Sequence, residues 1–198
     1  MKPLHTLNAL ALLLAAPAAL SHVVLEQPTA LAGSSYRAVL RVGHGCDGLA
    51  TTGISVRIPP GVQGAKPMPK PGWLLGVRTE PLATPYTHHG KRVEAEVSEI
   101  SWTAQGKEAA LPDHFYDEFV LRASLPATPG VLWFKVTQTC QDEGRTGRKD
   151  WTQVPAAGSS TKGLPLPAAP LRVDAPAPAS PASPPVPEAP AAPAVHRH

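Results

Sequence analysis

Aromatic residues, cysteines and long apolar runs are all scarce in this sequence, and each shortage excludes something. Aromatic residues make up 5% of the chain, and cysteine occurs twice. Beyond the first 21 residues no apolar run is long enough to cross a bilayer as a helix. The net charge is a modest +3 and the basic residues form no run, which argues against nucleic acid as a partner.

Recognisable catalytic motifs are lacking as well. The glycines around His44 do not have the strand, helix and spacing of a phosphate-binding loop. Asp117 and Glu118 are adjacent in a predicted strand, so their carboxylates point to opposite faces and cannot work as a pair. The sequence therefore predicts a protein that is not an enzyme.

The first 21 residues have the features of a secretory signal. Lys2 gives a positive start, residues 7–14 form a short apolar run, and Ala19-Leu20-Ser21 offers small residues at both positions that signal peptidase requires. A cut after Ser21 makes His22 the mature N-terminus and sends the protein to the periplasm or outside the cell. A cut after Ala18 is also allowed, and it would leave three residues in front of His22.

A histidine at a free N-terminus can bind one metal ion twice, through its α-amino nitrogen and its ring Nδ1. The amine must lose a proton to bind, and its reference pKa of about 7.7–8.0 permits this near neutral pH. Among common divalent metals, nitrogen donors most favour copper. The alternative is that His22 is first in the mature chain by chance.

Short alternating segments with Gly and Pro turns favour an all-β fold, with no convincing helical period anywhere. We count about eight strands, beginning with an edge strand at residues 22–27, and predict a two-sheet immunoglobulin-like β-sandwich. In the segment 93–102, a bulge near Ser98 or Glu99 would keep both alternating sets facing inward. Residues 36–42 alternate like a half-buried strand, and residues 141–149 are predicted to form a charged turn.

Three regions follow from composition: a signal peptide over residues 1–21, the sandwich over 22–154, and a tail over 155–198. The tail lacks aromatic residues and carries nearly half of the 25 prolines. Such a composition predicts a disordered, extended Pro/Ala-rich segment without a core.

The two cysteines, Cys46 and Cys140, predict one disulfide because the protein is exported to an oxidising compartment. Two thiolate metal ligands are the alternative.

A copper ion held by His22 still needs further ligands, since Cu(II) in a nitrogen and oxygen site prefers about four. His44 is the best placed second donor, because glycines flank it and a disulfide at Cys46 would fix its loop. An exposed loop histidine is the alternative. The other histidines have separate expectations. His88 and His89 are expected to be an exposed loop pair, with a second metal-loading site as the alternative, and His114 is expected at a core or edge position. His196 and His198 lie in the predicted tail.

Several short motifs, taken in order, resemble the YcnI-like copper-binding domains of bacterial envelope proteins. They are His22-Val23, Ala50-Thr51-Thr52, the segment 54–62, Pro71-Gly72-Trp73, Ile100-Ser101-Trp102, the segment 116–119 and Asp150-Trp151-Thr152. The resemblance covers the whole predicted domain.

This resemblance implies a histidine brace, in which the mature N-terminal histidine grips Cu(II) and a tryptophan near the end of the domain lies beside the metal. His22 and Trp151 match these roles, and His44 looks like a second imidazole ligand. Asp47 and Asp150 are weaker candidates for an oxygen ligand. A core position is the alternative for Trp151, and it is what we expect for Trp73, Trp102 and Trp133.

Three functions are compatible with these features. The first is storage, buffering or delivery of Cu(II), with other envelope copper-trafficking proteins as partners. The second is a copper oxidase or monooxygenase that uses the same brace, although no exposed aromatic platform is evident in the sequence. The third is a metal-free envelope interaction module with the tail as a spacer.

Overall fold

The computed structural model describes residues 22–88 and 90–176, and most of them lie in β-strands. The strands are β1 (Val24–Leu25), β2 (Thr29–Leu31), β3 (Ser35–Val42), β4 (Thr51–Arg57), β5 (Gln63–Pro67), β6 (Trp73–His88), β7 (Lys91–Ala104), β8 (Asp117–Ser124), β9 (Gly130–Asp142), β10 (Arg145–Trp151) and β11 (Ala169–Asp174). One 3-10 turn, Lys107–Ala109, follows β7. The predicted signal, His89, the terminal histidines His196 and His198, and the tail beyond residue 176 lie outside the described residues.

Two sheets form a sandwich, which confirms the predicted all-β architecture. The smaller sheet has the order β1-β3-β8-β5, and the larger has the order β2-β11-β9-β4-β7-β6, with β10 also paired to β9. The core lies between them because alternate residues point inward. In β3, Tyr36, Ala38, Leu40 and Val42 are buried, as the alternation predicted. No helix in the described part of the chain is long and apolar enough to cross a membrane.

Two local predictions about strands are confirmed. β1 lies at the edge of the smaller sheet. Arg78 of β6 pairs with Glu99 of β7, and the next residue of β6, Thr79, pairs with Val97. Ser98 is therefore the extra residue of a bulge in β7. The bulge lets Ile100 and Trp102 enter the core although they are out of phase with Val97, which packs against it. Ala95, which was also expected to face inward, is exposed.

The segment 141–149, predicted as a charged turn, belongs largely to a hairpin of β9 and β10. β10 pairs with β9 from Arg145 opposite Asp142 to Trp151 opposite Val136. The prediction was wrong because the inward positions of β10 are Gly147, Lys149 and Trp151, of which only the last is a large apolar residue.

The folded domain also extends past residue 154, where the tail was predicted to begin. β11 pairs in parallel with β2 and antiparallel with β9. Its residues Ala169, Leu171 and Val173 are almost completely buried, as is the preceding Ala168. The prediction failed here because Pro and Ala surround this short alternation and dominate the composition of the segment.

Candidate metal centre

The pairing of β1 with β3 brings His22 and His44 to the same end of the sandwich. Val24 lies opposite Arg41 and Leu25 opposite Leu40. In an antiparallel pair the register runs backwards along the partner, so its continuation places residue 22 opposite residue 43. Two histidines separated by 22 positions in sequence thereby reach the same end of the smaller sheet.

Trp151 is the residue that both histidines contact. It ends β10 in the larger sheet, opposite Val136, and its side chain is buried. The His22 ring lies 5.7 Å from the Trp151 ring between centroids, at an interplanar angle of 66°. The His44 ring lies 6.2 Å away at 71°. The structure thus brings the three predicted site residues together. Trp151 also packs in the hydrophobic core, which was the alternative prediction for this residue.

The loop that carries His44 is tightly constrained. Cys46 and Leu49 exchange two backbone hydrogen bonds, each of 3.1 Å. The Gly45 backbone N–H donates to Asp113 Oδ1 at 3.0 Å. A Cβ on Gly45 would lie 1.8 Å from the Leu49 carbonyl oxygen, so only glycine fits. Cys46 is joined to Cys140 by the predicted disulfide, which leaves neither sulfur as a thiolate ligand.

A hydrogen bond defines which nitrogen of His44 is available to a ligand. Its Nδ1 lies 2.5 Å from the Gly45 carbonyl oxygen, and a carbonyl only accepts. Nδ1 therefore carries the proton and donates, while Nε2 of the neutral ring keeps its lone pair. This is the arrangement that commonly orients a metal-binding imidazole.

His22 has one ring nitrogen for which the described residues provide no partner. Its Nε2 is buried and makes no hydrogen bond within the described residues. A buried polar atom left in this state costs about 1–3 kcal/mol. Such atoms are rare, and this nitrogen is not the one that the predicted chelate would use.

Gln138 connects the two halves of the site, and the sequence analysis did not identify it. Its side chain is fully buried on β9. Its Nε2 donates to the His44 carbonyl at 2.7 Å and to Thr51 Oγ1 at 2.8 Å. Trp151 Nε1–H donates to its Oε1 at 3.0 Å. The available signal was a polar residue in phase with Phe134, Val136 and Cys140, whose side chains point inward.

The two predicted carboxylates both form ion pairs with basic side chains. Asp150 accepts hydrogen bonds from Arg148 and Thr137, both at 2.8 Å. The bond from Arg148, followed by that from Thr137, lowers the pKa of Asp150 below its usual value. Successive residues of a strand face opposite sides, so Asp150 points away from the side that Trp151 occupies. Asp47 pairs with Lys149 at 2.8 Å.

A cleft beside His44 and Trp151 has a volume of about 520 Å³ and is bordered by charged side chains. Asp113, missed in the sequence, lines it together with Asp47, Lys149 and Leu166. Lys149 lies opposite Gln138 and therefore faces the same side of the sheet as Trp151. In the described part of the chain, no three or more His, Cys, Asp or Glu side chains form a metal-binding group. The ligands predicted here are two imidazoles, and their metal-binding role stays a prediction.

The other histidines and tryptophans among the described residues do not line this cleft. His88 ends β6, and His114 is exposed in the loop before β8, in edge contact with Phe115 at 4.3 Å. Trp73 and Trp102 are buried as predicted, whereas Trp133 is half-buried on the opposite face of β9 from Phe134.

A protein-family model matches most of the chain. The model described as "Domain of unknown function (DUF1775)" matches residues 22–173. The match begins at His22 and ends within β11, which agrees with a folded domain that continues past residue 154. No curated protein matches the chain.

A solved structure confirms the immunoglobulin-like fold. The chain is similar to an uncharacterized protein from Nocardia farcinica, whose crystal structure is described as revealing an immunoglobulin-like fold. The two share 27% sequence identity with a TM-score of 0.57, over 77% of this chain and 97% of the other.

Proposed function

Because the chain belongs to the YcnI family, whose domain is DUF1775, we propose that it is an exported protein that binds Cu(II) without catalysing a reaction. It would store, buffer or deliver the ion in the periplasm or outside the cell. His22 would hold the metal through its amine and ring, and His44 would supply a second imidazole. Partners would be other envelope copper-trafficking proteins.

One observation carries this proposal: the rings of His22 and His44 both lie against the same buried indole, at centroid distances of 5.7 and 6.2 Å. The histidines come from the smaller sheet and Trp151 from the larger one. Nothing in local sequence requires the three to meet, so their convergence supports a shared role.

The chemistry of the donors fits copper. Imidazole nitrogens suit Cu(II), and the hydrogen bond at His44 Nδ1 leaves the ring's other nitrogen free to bind. At His22 the chelate would use the α-amino nitrogen and the ring Nδ1, which leaves the buried Nε2 outside the coordination shell. The indole of Trp151 closes one side of the site and would shield a bound ion from water.

Substitution of His44 tests the proposal. The processed protein, with its N-terminal residue verified by mass spectrometry, is titrated with Cu(II) in competition with a chelator. We expect His44→Ala to weaken binding by more than about tenfold, because a direct ligand is lost. His114→Ala is the matched control, since this histidine is exposed and outside the cleft, and it should bind as the wild type does. Equal binding by all three proteins would place the copper elsewhere.

One observation favours the copper oxidase or monooxygenase as a second candidate. Phe115 and Tyr116 are 54% and 65% exposed, and they follow Asp113, which lines the cleft. Exposed aromatic side chains in the segment that carries Asp113 would offer a polysaccharide a surface to stack on. Peroxide-driven cleavage by the copper-loaded protein, reduced in a Phe115→Ala/Tyr116→Ala variant, would support the enzyme. Absence of turnover supports the binding protein.

A further inference from the structure

We propose that Gln138 is a positioning residue that fixes His44 and Trp151 relative to each other, and so determines the geometry and strength of the copper site. This inference rests on the proposed function. Gln138 would not touch the metal. It would act through the backbone of one predicted ligand and the indole beside it.

The hydrogen bonds of Gln138 reach both sides of the site at once. Its amide nitrogen has two protons, and each has an acceptor: the His44 carbonyl at 2.7 Å and Thr51 Oγ1 at 2.8 Å. Its oxygen accepts the Trp151 indole N–H at 3.0 Å. A carboxylate cannot supply the two donors, and an apolar side chain supplies none of the bonds. Amide chemistry is therefore required at this position.

The strand that carries Gln138 is held by hydrogen-bonded strands on both sides. β9 lies between β4 and β10, where Gln138 pairs with Ile54 on one side and Lys149 on the other. The side chain is 0% exposed. Because both ends of its amide are held, the His44 loop and the indole cannot shift independently of the sheet.

Burial of this amide serves no evident purpose in packing. Its neighbours on the same face, Phe134, Val136 and Cys140, are apolar and fully or almost fully buried. A polar group in such a place is unfavourable unless its hydrogen bonds are made. Those bonds end at the His44 loop, at Trp151 and at Thr51, so the position of the site residues is what the amide secures.

Gln138→Met tests the inference, because methionine matches glutamine in length but forms no comparable hydrogen bonds. Ile54→Ala is the matched control: it destabilises the neighbouring strand at the same register while leaving every Gln138 bond in place. Both variants are compared at equal folded fraction. Gln138→Asn, one methylene shorter, replaces Gln138→Met if the latter does not fold.

Two measurements are made on each protein. The first is Cu(II) affinity together with the nitrogen hyperfine pattern in electron paramagnetic resonance. The second, without copper, is hydrogen exchange of the Trp151 indole N–H by NMR, assigned with Trp151→Phe. For Gln138→Met we expect binding at least about tenfold weaker, an altered hyperfine pattern and faster indole exchange. For Ile54→Ala we expect the wild-type spectrum despite a lower melting temperature.

A Gln138→Met protein with wild-type copper spectrum and affinity would overturn the inference. The same holds if Ile54→Ala changes the spectrum equally, since general loosening would then explain the effect. If the wild type shows no histidine-bound copper, the proposed function fails instead. In that case, hydrogen exchange of the Trp151 indole N–H alone tests whether Gln138 positions the indole. Unchanged exchange in Gln138→Met rejects this role, and faster exchange supports it as a property of the copper-free fold.

Discussion

Gly45 holds His44 in place by having no side chain. A Cβ there would lie 1.8 Å from the Leu49 carbonyl oxygen and 3.1 Å from Asp113 Oδ1. The backbone of the loop would have to move, and the hydrogen bond from Gly45 N–H to Asp113 would be lost with it. The geometry of the predicted ligand thus depends on its neighbour.

We expect Gly45→Ala to lower the free energy of unfolding by about 2–3 kcal/mol and to weaken Cu(II) binding. Gly48→Ala is the control in the same loop: its φ is +85° but no atom lies within 4 Å of the added Cβ, so it should cost about 1 kcal/mol. Urea unfolding followed by Trp fluorescence measures both. A Gly45→Ala protein as stable as Gly48→Ala would show that the loop adapts.

Asp150 makes a pH-dependent contribution to stability that is separate from copper. Arg148 and Thr137 lower its pKa below the usual 3.8. A group with a lowered pKa in the folded state stabilises the fold above its unfolded pKa, and the contribution is lost as the pH falls through the folded value. Because the side chain is 43% exposed, the effect is small.

We expect Asp150→Asn to lower the melting temperature at pH 7 by at most about 2 °C, with the difference vanishing as the pH falls well below 3.8. Thermal unfolding by circular dichroism from pH 2 to pH 7 measures this. Copper binding should be unchanged, and a large loss of affinity would mean that Asp150 is a ligand after all.

At the scale of elements, β11 shows that a Pro-rich segment can complete a core. Leu171 is 0% exposed, whereas its neighbour Arg172 points outward and pairs with Asp174 at 3.0 Å. β11 also lies between β2 and β9 in the larger sheet, so it connects the edge strand β2 to the rest of that sheet.

We therefore expect Leu171→Ala to destabilise the protein by about 2–5 kcal/mol, because it removes buried methyl groups and leaves a cavity. Arg172→Ala should change stability by less than about 0.5 kcal/mol. Chemical denaturation of the two variants makes the comparison. Equal stability would mean that the segment is a tail, as its composition suggested.

The elements that could be predicted from the sequence are those with inward apolar residues in alternation, such as β3 and β8. β10 could not be predicted, because Gly147 and Lys149 occupy its inward positions. Gly147 is needed there because a Cβ on it would lie 2.9 Å from the Cβ of Cys46. The bulge at Ser98 was correctly predicted from local alternation, and the disulfide from the presence of two cysteines behind a predicted secretion signal.

The candidate site was predicted in part. The resemblance and the local sequence supplied His22, His44 and Trp151, which the fold then brought together. Asp113 and Gln138 were missed because their partners are 68 and 94 positions away, respectively. Such long-range contacts leave no local trace except, for Gln138, a polar residue on an inward face.

At the scale of the whole molecule, the site forms where the two sheets meet at one end of the sandwich. His22 precedes β1, His44 follows β3, and Trp151 ends β10 of the opposite sheet. Unfolding of either sheet would separate these residues. Bound Cu(II) is therefore expected to stabilise the entire domain by binding the folded state alone.

The first measurement to make is electron paramagnetic resonance of the processed protein with one equivalent of Cu(II). It is compared with a variant that carries one extra residue before His22, and it tests whether the His22 amine and ring bind the ion together. The added residue removes the free amine from His22 but leaves both ring nitrogens, including the unpartnered Nε2. We expect a nitrogen-rich axial signal in the processed protein and the loss of this signal in the variant with the extra residue. An identical signal in both would contradict the brace.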